Sequence, residues 1–539
     1  MKRSIKLVAG SLFALFTACG AQAQGWYGLA NSWDLKAKVE GPRGPAWGYN
    51  ATAVGLWRDW AVVGFPGYSG GHDREGQVQL LKRAADGTWQ LDSTLNPYLR
   101  GDQVLFPIQA IRSWLGYSVS LCNDNLVAAG APRFDNGAGA AYVFERSGAT
   151  WVSASLPAGN LPIGRAGIPE QGPLFGQSVA VSGIRVLVGA PGLNRVYVFI
   201  RQALGTWALE TQLNGPAGSY FGASVSLSGD RAMIGAPREG GGAVYMYERT
   251  AAGGWQSVRT FRRNGVGDYL GFSVCMDGTS GVAGMPLADG WLGNEVVEDA
   301  GEAIFYCKNP NWVCEEDISP SLPRYENVYG GAVSLSGNRA AVAAPGIAVE
   351  ERDLNDVFLY ERTGHDWRET QRLTNVGHPA LGFQFGESLA LRNARMIIGG
   401  QNRNAAGDFI SAAYVYEMST TGSAVFSNVC NTTPQVSANT PSILQNSVLE
   451  YTVTVKWFSA MPTDNPVVVE LWDVRNIKLK TDSLAPSLKV PPSAVKTIRY
   501  TPTAGNMPHG FKVYHSRALP AGQRGAEVTI QAKWVPYEP

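Results

Sequence analysis

The chain has 539 residues, with 45 Lys and Arg against 44 Asp and Glu, for a net charge of +1. So even a balance predicts neither a nucleic-acid surface nor electrostatic attachment to a membrane. Glycine is abundant (64) and histidine scarce (5), which suits many short strands joined by tight turns and excludes a site of clustered histidines.

The first 23 residues read as a secretory signal: a basic start, an apolar run through Phe16, and a small-residue cleavage pattern at Ala21-Gln22-Ala23. That predicts a secreted or periplasmic protein. A competing cut before Cys19, in "LFTAC", would give an outer-membrane lipoprotein instead. No later run approaches the roughly 18 apolar residues of a transmembrane span.

From Trp33 to Val39 stands "WDLKAKV", and the chain then repeats itself. "WGYNATAV" at Trp47, "LGYSVSL" at Leu115, "FGQSVAV" at Phe175, "FGASVSL" at Phe221, "LGFSVCM" at Leu270, "YGGAVSL" at Tyr329 and "FGESLAL" at Phe385 each start a first strand. A second strand follows each and ends in forms of "VGAP". A third alternates small residues with aromatics, as in "VYVFI" and "VYMYE". A fourth begins with Trp, as at Trp89, Trp207, Trp255, Trp312 and Trp367. The seventh copy lacks this Trp strand, and "WDLKAKV" at the N-terminus supplies it. Seven four-stranded units with strand 33–39 closing the ring predict a seven-bladed β-propeller over residues 24–417, in an all-β chain.

These cassettes resemble the FG-GAP repeat family, whose best-known members are integrin α-chain propellers. The resemblance covers about residues 33 to 417. It implies recognition or adhesion at a cell surface, and it implies calcium sites in acidic loops between the first and second strands. The turns here depart from that pattern. "SGIR" (Ser182 to Arg185), "SGDR" (Ser228 to Arg231) and "SGNR" (Ser336 to Arg339) are too short and too poor in carboxylates for a calcium shell, so no metal and no cofactor is assigned.

Connections between strands 1–2 and 3–4 are short and lie on one face, whereas the 2–3 and 4–1 connections are long and divergent and lie on the other. Binding is expected on the long-loop face. Its candidate ligand-contacting residues are Arg100, Asp102, Trp114, Tyr220, Tyr269, Trp291 and Tyr325. Arg100-Gly101-Asp102 spells a tripeptide that some integrins bind. "EVVED", with Glu295, Glu298 and Asp299, reads as a solvated acidic loop. No nucleophile with a base can be placed, so the chain is not read as an enzyme.

Cys307 and Cys314 flank "KNPNWV". A turn at Pro310-Asn311 would set them opposite each other and allow a disulfide. The Ser/Thr-rich stretch 418–434 reads as a linker. Alternating segments from "LEYTVTVKWF" to "AEVTIQAKWV" over 435–539 predict an immunoglobulin-like or fibronectin-like sandwich with an accessory or adhesive role. The functional expectation is a recognition module for a protein or glycan at a cell surface. The alternatives are a carbohydrate-binding lectin, or a hydrolase or lyase at the central channel.

Overall fold

In the computed structural model the described residues are 33–41 and the strands and short turns between 53 and 536. Residues 1–32, 42–52, 105–111, 157–171, 347–354, 375–384 and 404–408 lie outside them, as do shorter loop stretches and most links between strands beyond 418. The signal segment and Cys19 therefore lie outside the described residues. The chain forms two compact units that part at Glu417 and Met418.

The first unit is a ring of seven four-stranded antiparallel sheets. The inner strands are Val54–Trp57, Ser118–Cys122, Ser178–Ser182, Ser224–Ser228, Ser273–Asp277, Ala332–Ser336 and Ser388–Arg392, and we number the blades 1 to 7 in that order. In blade 7 the outer strand is Trp33–Glu40, paired beside Phe409–Met418, so the N-terminal strand closes the ring.

The apolar core lies between neighbouring blades. Phe221, fully buried, meets Tyr245 edge to face at 5.1 Å, and the surrounding cluster draws on blades 3 and 4. Burying such a side chain stabilises by roughly 1.5–3 kcal/mol. At the seam, Val54 and Val63 of blade 1 pack with Ile397 and Val415 of blade 7, and Val39 of the closing strand packs against them.

The inner strands have a pairing partner on one edge only, and the serines of "SVSLSG" serve the other. The Ser178 hydroxyl donates to the Gly222 carbonyl at 2.8 Å, and Ser224 donates to Gly271 at 2.7 Å. Ser226 accepts the Met276 N–H at 3.0 Å, and Ser228 accepts the Gly278 N–H at 2.9 Å. Each bond runs from one blade to the next. Where serine is missing, Cys122, Cys275 or Asp277 takes the place, accepting from Gly183, Leu335 and Gly337. Close approach goes with the latch, since a Cβ at Gly189 of "VGAP" would collide with the Gly222 carbonyl oxygen of the next blade.

A second latch joins blades at their periphery. Glu248 ends strand 3 of blade 4 and accepts the indole N–H of Trp312 in blade 5 at 3.0 Å, while pairing with Lys308 and with Arg231 of its own blade. Glu145 does the same with Trp207 and Arg201. At the seam, Glu417 of blade 7 accepts from Arg83 (2.6 Å) and Trp89 (3.4 Å) of blade 1, and from Arg395 (3.1 Å). The four residues of "SGDR" are thereby all used. Ser228 latches forward, and the Gly229 N–H donates back to Ser182. The Asp230 carbonyl closes the hairpin onto the Arg249 N–H, and Arg231 braces Glu248.

In blades 1 and 3 to 6 the register between strands 3 and 4 shifts at corresponding positions, as at Met246/Tyr247 and Phe305/Tyr306. Such bulges twist the outer edge and discourage strand addition. In blade 5 the consequence is local. Cys307 stands opposite Val313 and Cys314 opposite Tyr306, one residue off the facing pair that the assumed turn required, because the hairpin turns over Asn309, Pro310 and Asn311. The Cys314 side chain lies outside the described residues.

The second unit holds eight strands: Thr421–Val429, Gln435–Ala438, Ser447–Trp457, Val467–Asp473, Lys478–Leu484, Ser493–Tyr500, Pro508–His515 and Ala526–Pro536. They form two antiparallel sheets in the orders 1-8-3-6 and 2-7-4-5. Residues 421–429, expected within a linker, pair with the last strand. That last strand lies between the first and third.

Two outcomes test the latches. Ser178→Ala leaves a buried carbonyl without its donor and should cost about 1–3 kcal/mol, whereas Gly189→Ala, which forces blades 3 and 4 apart, should lower Tm further in calorimetry. Unchanged Tm values for both would refute the inner latch. The Glu417 carboxyl is pushed up by burial, but hydrogen bonds and charge from Arg83 and Arg395 outweigh this and hold it below its ordinary value. Its contribution is thus present above the unfolded value of about 4.3 and lost as pH falls through the lower folded value. Glu417→Gln should therefore lower Tm at neutral pH, and the gap from the parent chain should narrow below about pH 4.

Candidate functional site

The long-loop face is assembled by one repeated turn. The residue before each "FG" motif takes a left-handed conformation at Trp114 (φ 58), Leu174 (φ 56), Tyr220 (φ 58), Tyr269 (φ 62) and Val328 (φ 53). Such angles are costly for bulky side chains and persist only where surroundings hold them. Here the N–H three residues on closes the turn, from Tyr117 to the Trp114 carbonyl at 3.0 Å and from Phe272 to that of Tyr269 at 3.0 Å. Backbone bonds also tie the 2–3 loops of blades 1 to 6 to the adjoining 4–1 connections, as from Arg133 to Ser113 and from Arg238 to Ser219. The bases of the two loop sets therefore share one face.

Trp114 is only 6% exposed; it stacks on Tyr117 at 5.8 Å, and the Arg133 guanidinium covers it at 3.6 Å. Tyr220 is half-buried under Arg238 at 3.9 Å. Trp114 is thus mainly a packing residue, and in both pairs the cation takes the ring face that a ligand would need. Tyr269 is half-buried and Tyr325 stands out at 64% exposure. Arg100 pairs with Gln103 in a small hairpin, and Trp291 pairs with Val296 in another. Asp102 and the side chains of Arg100 and Trp291 lie outside the described residues. The structure therefore places Trp114 and Tyr220 equivalently on the loops before blades 2 and 4, with the loop before blade 3 between them, and joins no cluster among the candidates whose side chains are described.

Over blade 5 the face turns acidic. Burial and the charge of Asp289 push the carboxyls of Asp268 and Asp299 up, with Glu326 adding to the effect at Asp299. Among the described residues no group of three or more His, Cys, Asp or Glu side chains is placed to hold a metal ion.

Inside the ring, a cavity of about 270 Å³ is lined by all seven inner strands, including Val119, Val225, Met276 and Leu391. The Ser120, Ser226, Ser334 and Cys275 side chains that reach it are bonded to neighbouring blades. Among the described residues no helix is long and apolar enough to cross a membrane.

One set of positions was overlooked in the sequence. The third residue of each "FGxS" motif directly precedes the inner strand, and these residues include Tyr117, Gln177, Phe272 and Glu387. Gln177 donates to the Tyr117 hydroxyl at 3.3 Å across blades 2 and 3, and Phe272 is 50% exposed. The signal was available: x varies where every neighbour repeats.

Residues 211–247 match the FG-GAP repeat family. This segment is an FG-GAP repeat. It runs from the outer strand of blade 3 to the third strand of blade 4, and the other blades repeat its architecture. A crystal structure of a protein from Lactobacillus plantarum is similar to this chain at 12% identity and a TM-score of 0.42, covering 66% of this chain and 94% of that one. A putative 6-phosphogluconolactonase from Bacteroides uniformis is similar at 11% identity and a TM-score of 0.38, covering 59% and 82%. No curated protein matches.

Because Asp230 and its counterparts serve hairpins and ion pairs, chelation should leave the thermal midpoint of the purified chain unchanged. A fall of several degrees that calcium restores would place ligands in loops outside the described residues.

Proposed function

We infer that this is an exported recognition protein whose FG-GAP propeller binds a protein or glycan at a cell surface through its long-loop face. The observation that carries the reading is the contrast between faces. The short turns are committed to latches between blades, while the opposite face is pinned at its loop bases and holds Tyr325, Phe272, the two arginine stacks and an acidic sector. Export rests on the signal pattern at 1–23, with Cys19 as the alternative lipid anchor. A binding rather than catalytic role is supported by the channel, whose serine and cysteine side chains serve structural bonds.

The second unit reads as a β-sandwich of accessory function. Its sheet orders 1-8-3-6 and 2-7-4-5 favour an eight-stranded jelly roll of two Greek keys over an immunoglobulin arrangement. Fold alone assigns it no ligand.

The reading is tested by screening the full chain on protein and glycan arrays and titrating any hit against two variants. Tyr325→Ala should weaken binding by about tenfold, the loss of one exposed aromatic anchor. Ile184→Ser, on the short-turn face, should leave affinity unchanged. Melting curves control for folding, and the opposite ranking would put the binding face on the other side.

A further inference from the structure

In "FGxSVxLSG" the fold dictates nearly every position. The aromatic or Leu is buried between blades, the glycine lies against the preceding blade, and the serines are latched. The third position varies in residue type where its neighbours repeat, and among the described blades it reads Tyr117, Gln177, Ala223, Phe272, Gly331 and Glu387. Packing bears on some of these, since Tyr117 stacks on Trp114 and a Cβ at Gly331 would crowd Pro345, whereas Phe272 stands half exposed.

Placement supplies the second observation. Each x residue directly precedes an inner strand, so the six stand at one level around the ring, at the end of the inner strands reached from the 4–1 loops. Tyr117 touches Gln177 of the neighbouring blade. Its phenol is pushed up by burial and then by the charge of Glu387, with smaller influences from Arg133 and Tyr220. Glu387 belongs to blade 7 and Tyr220 to blade 4, each with a whole blade between it and Tyr117, so these charges act on the phenol from both sides of the ring. At the same register in blade 5, Phe272 leaves half its surface open.

We propose that this axial mouth is a saccharide subsite, with Phe272 as the platform for an apolar sugar face and Tyr117, Gln177 and Glu387 as the hydrogen-bonding set for its hydroxyls. The inference rests on the reading that the long-loop face is the binding face. A carboxylate accepts, a carboxamide both donates and accepts, and a phenol does either, which is the mixture a ring of hydroxyls requires. An aromatic face beside a few placed polar groups is the usual composition of a small-molecule site. A cationic ligand fits less well, because the mouth offers Glu387 as its carboxylate while Arg133 and Arg238 lie stacked at the rim.

The test uses the full chain. Methyl glycosides of the common hexoses, fucose and N-acetylhexosamines are titrated by calorimetry, together with butylamine and butylguanidinium as cationic probes. The proposal expects at least one glycoside to bind, Phe272→Ala to weaken it about tenfold, and Gln177→Ala to weaken it as well, with both variants melting like the parent. Absence of glycoside binding overturns it, and so does binding of the cationic probes alone. Glycoside binding that survives both axial substitutions but falls with Tyr325→Ala overturns the axial subsite while leaving the long-loop reading intact.

Discussion

The structure depends on how the inner strands satisfy their unpaired edges. Every strand carries a donor and an acceptor per residue, and a buried one without a partner costs as much as a lost hydrogen bond. The inner strand of a blade has a neighbour on one side only. Serine at alternate positions supplies short side chains that cross to the next blade, and the same crossing sets blade spacing. Gly189 and Gly222 follow from that spacing, because blades drawn together by a Ser178 hydroxyl leave no room for a Cβ between them. Ser228, in the turn, belongs to this system rather than to a metal shell.

The peripheral latch answers a different need. A ring has one junction that the chain does not cross in order, and here it lies between blades 7 and 1. Glu417 meets Arg83 and Trp89 there as Glu248 meets Lys308 and Trp312 between blades 4 and 5. The seam is therefore held by the same contacts as a continuous junction, in addition to the closing strand. In blades 1, 3, 4 and 5 the Trp that opens the outer strand has two roles, apolar contact through its ring and donation through its indole N–H.

Blade number, strand order and closure were legible because each is written in local periodicity: an alternating strand, a turn, and a Trp at a constant offset. What was not legible depends on partners distant in sequence. Ser228 looks like a turn residue until Gly278 is brought beside it. The Cys307 and Cys314 register depended on the turn chosen, and a three-residue connection shifts it by one. Strand 421–429 has the composition of a linker, and only its pairing with residues 526–536 makes it a strand. Trp114 was a reasonable surface aromatic on sequence grounds, since nothing near it in the chain foretells that Arg133 will cover it.

These two latch systems also explain why the faces can differ so much. On the short-turn side a residue such as Asp230 is held by its own hairpin and by Arg185 of the preceding blade, so length and composition there are constrained by neighbours. On the opposite side the repeated turn ending at Tyr117 or Phe272 fixes the loop bases through backbone bonds, which demand nothing of the side chains beyond them. Loops anchored in this way can lengthen or change chemistry without loosening the blades, because the bonds that set blade spacing lie in the inner strands and at the periphery. The bonds that hold the ring and the side chains that are free to vary are thereby different atoms of the same repeat.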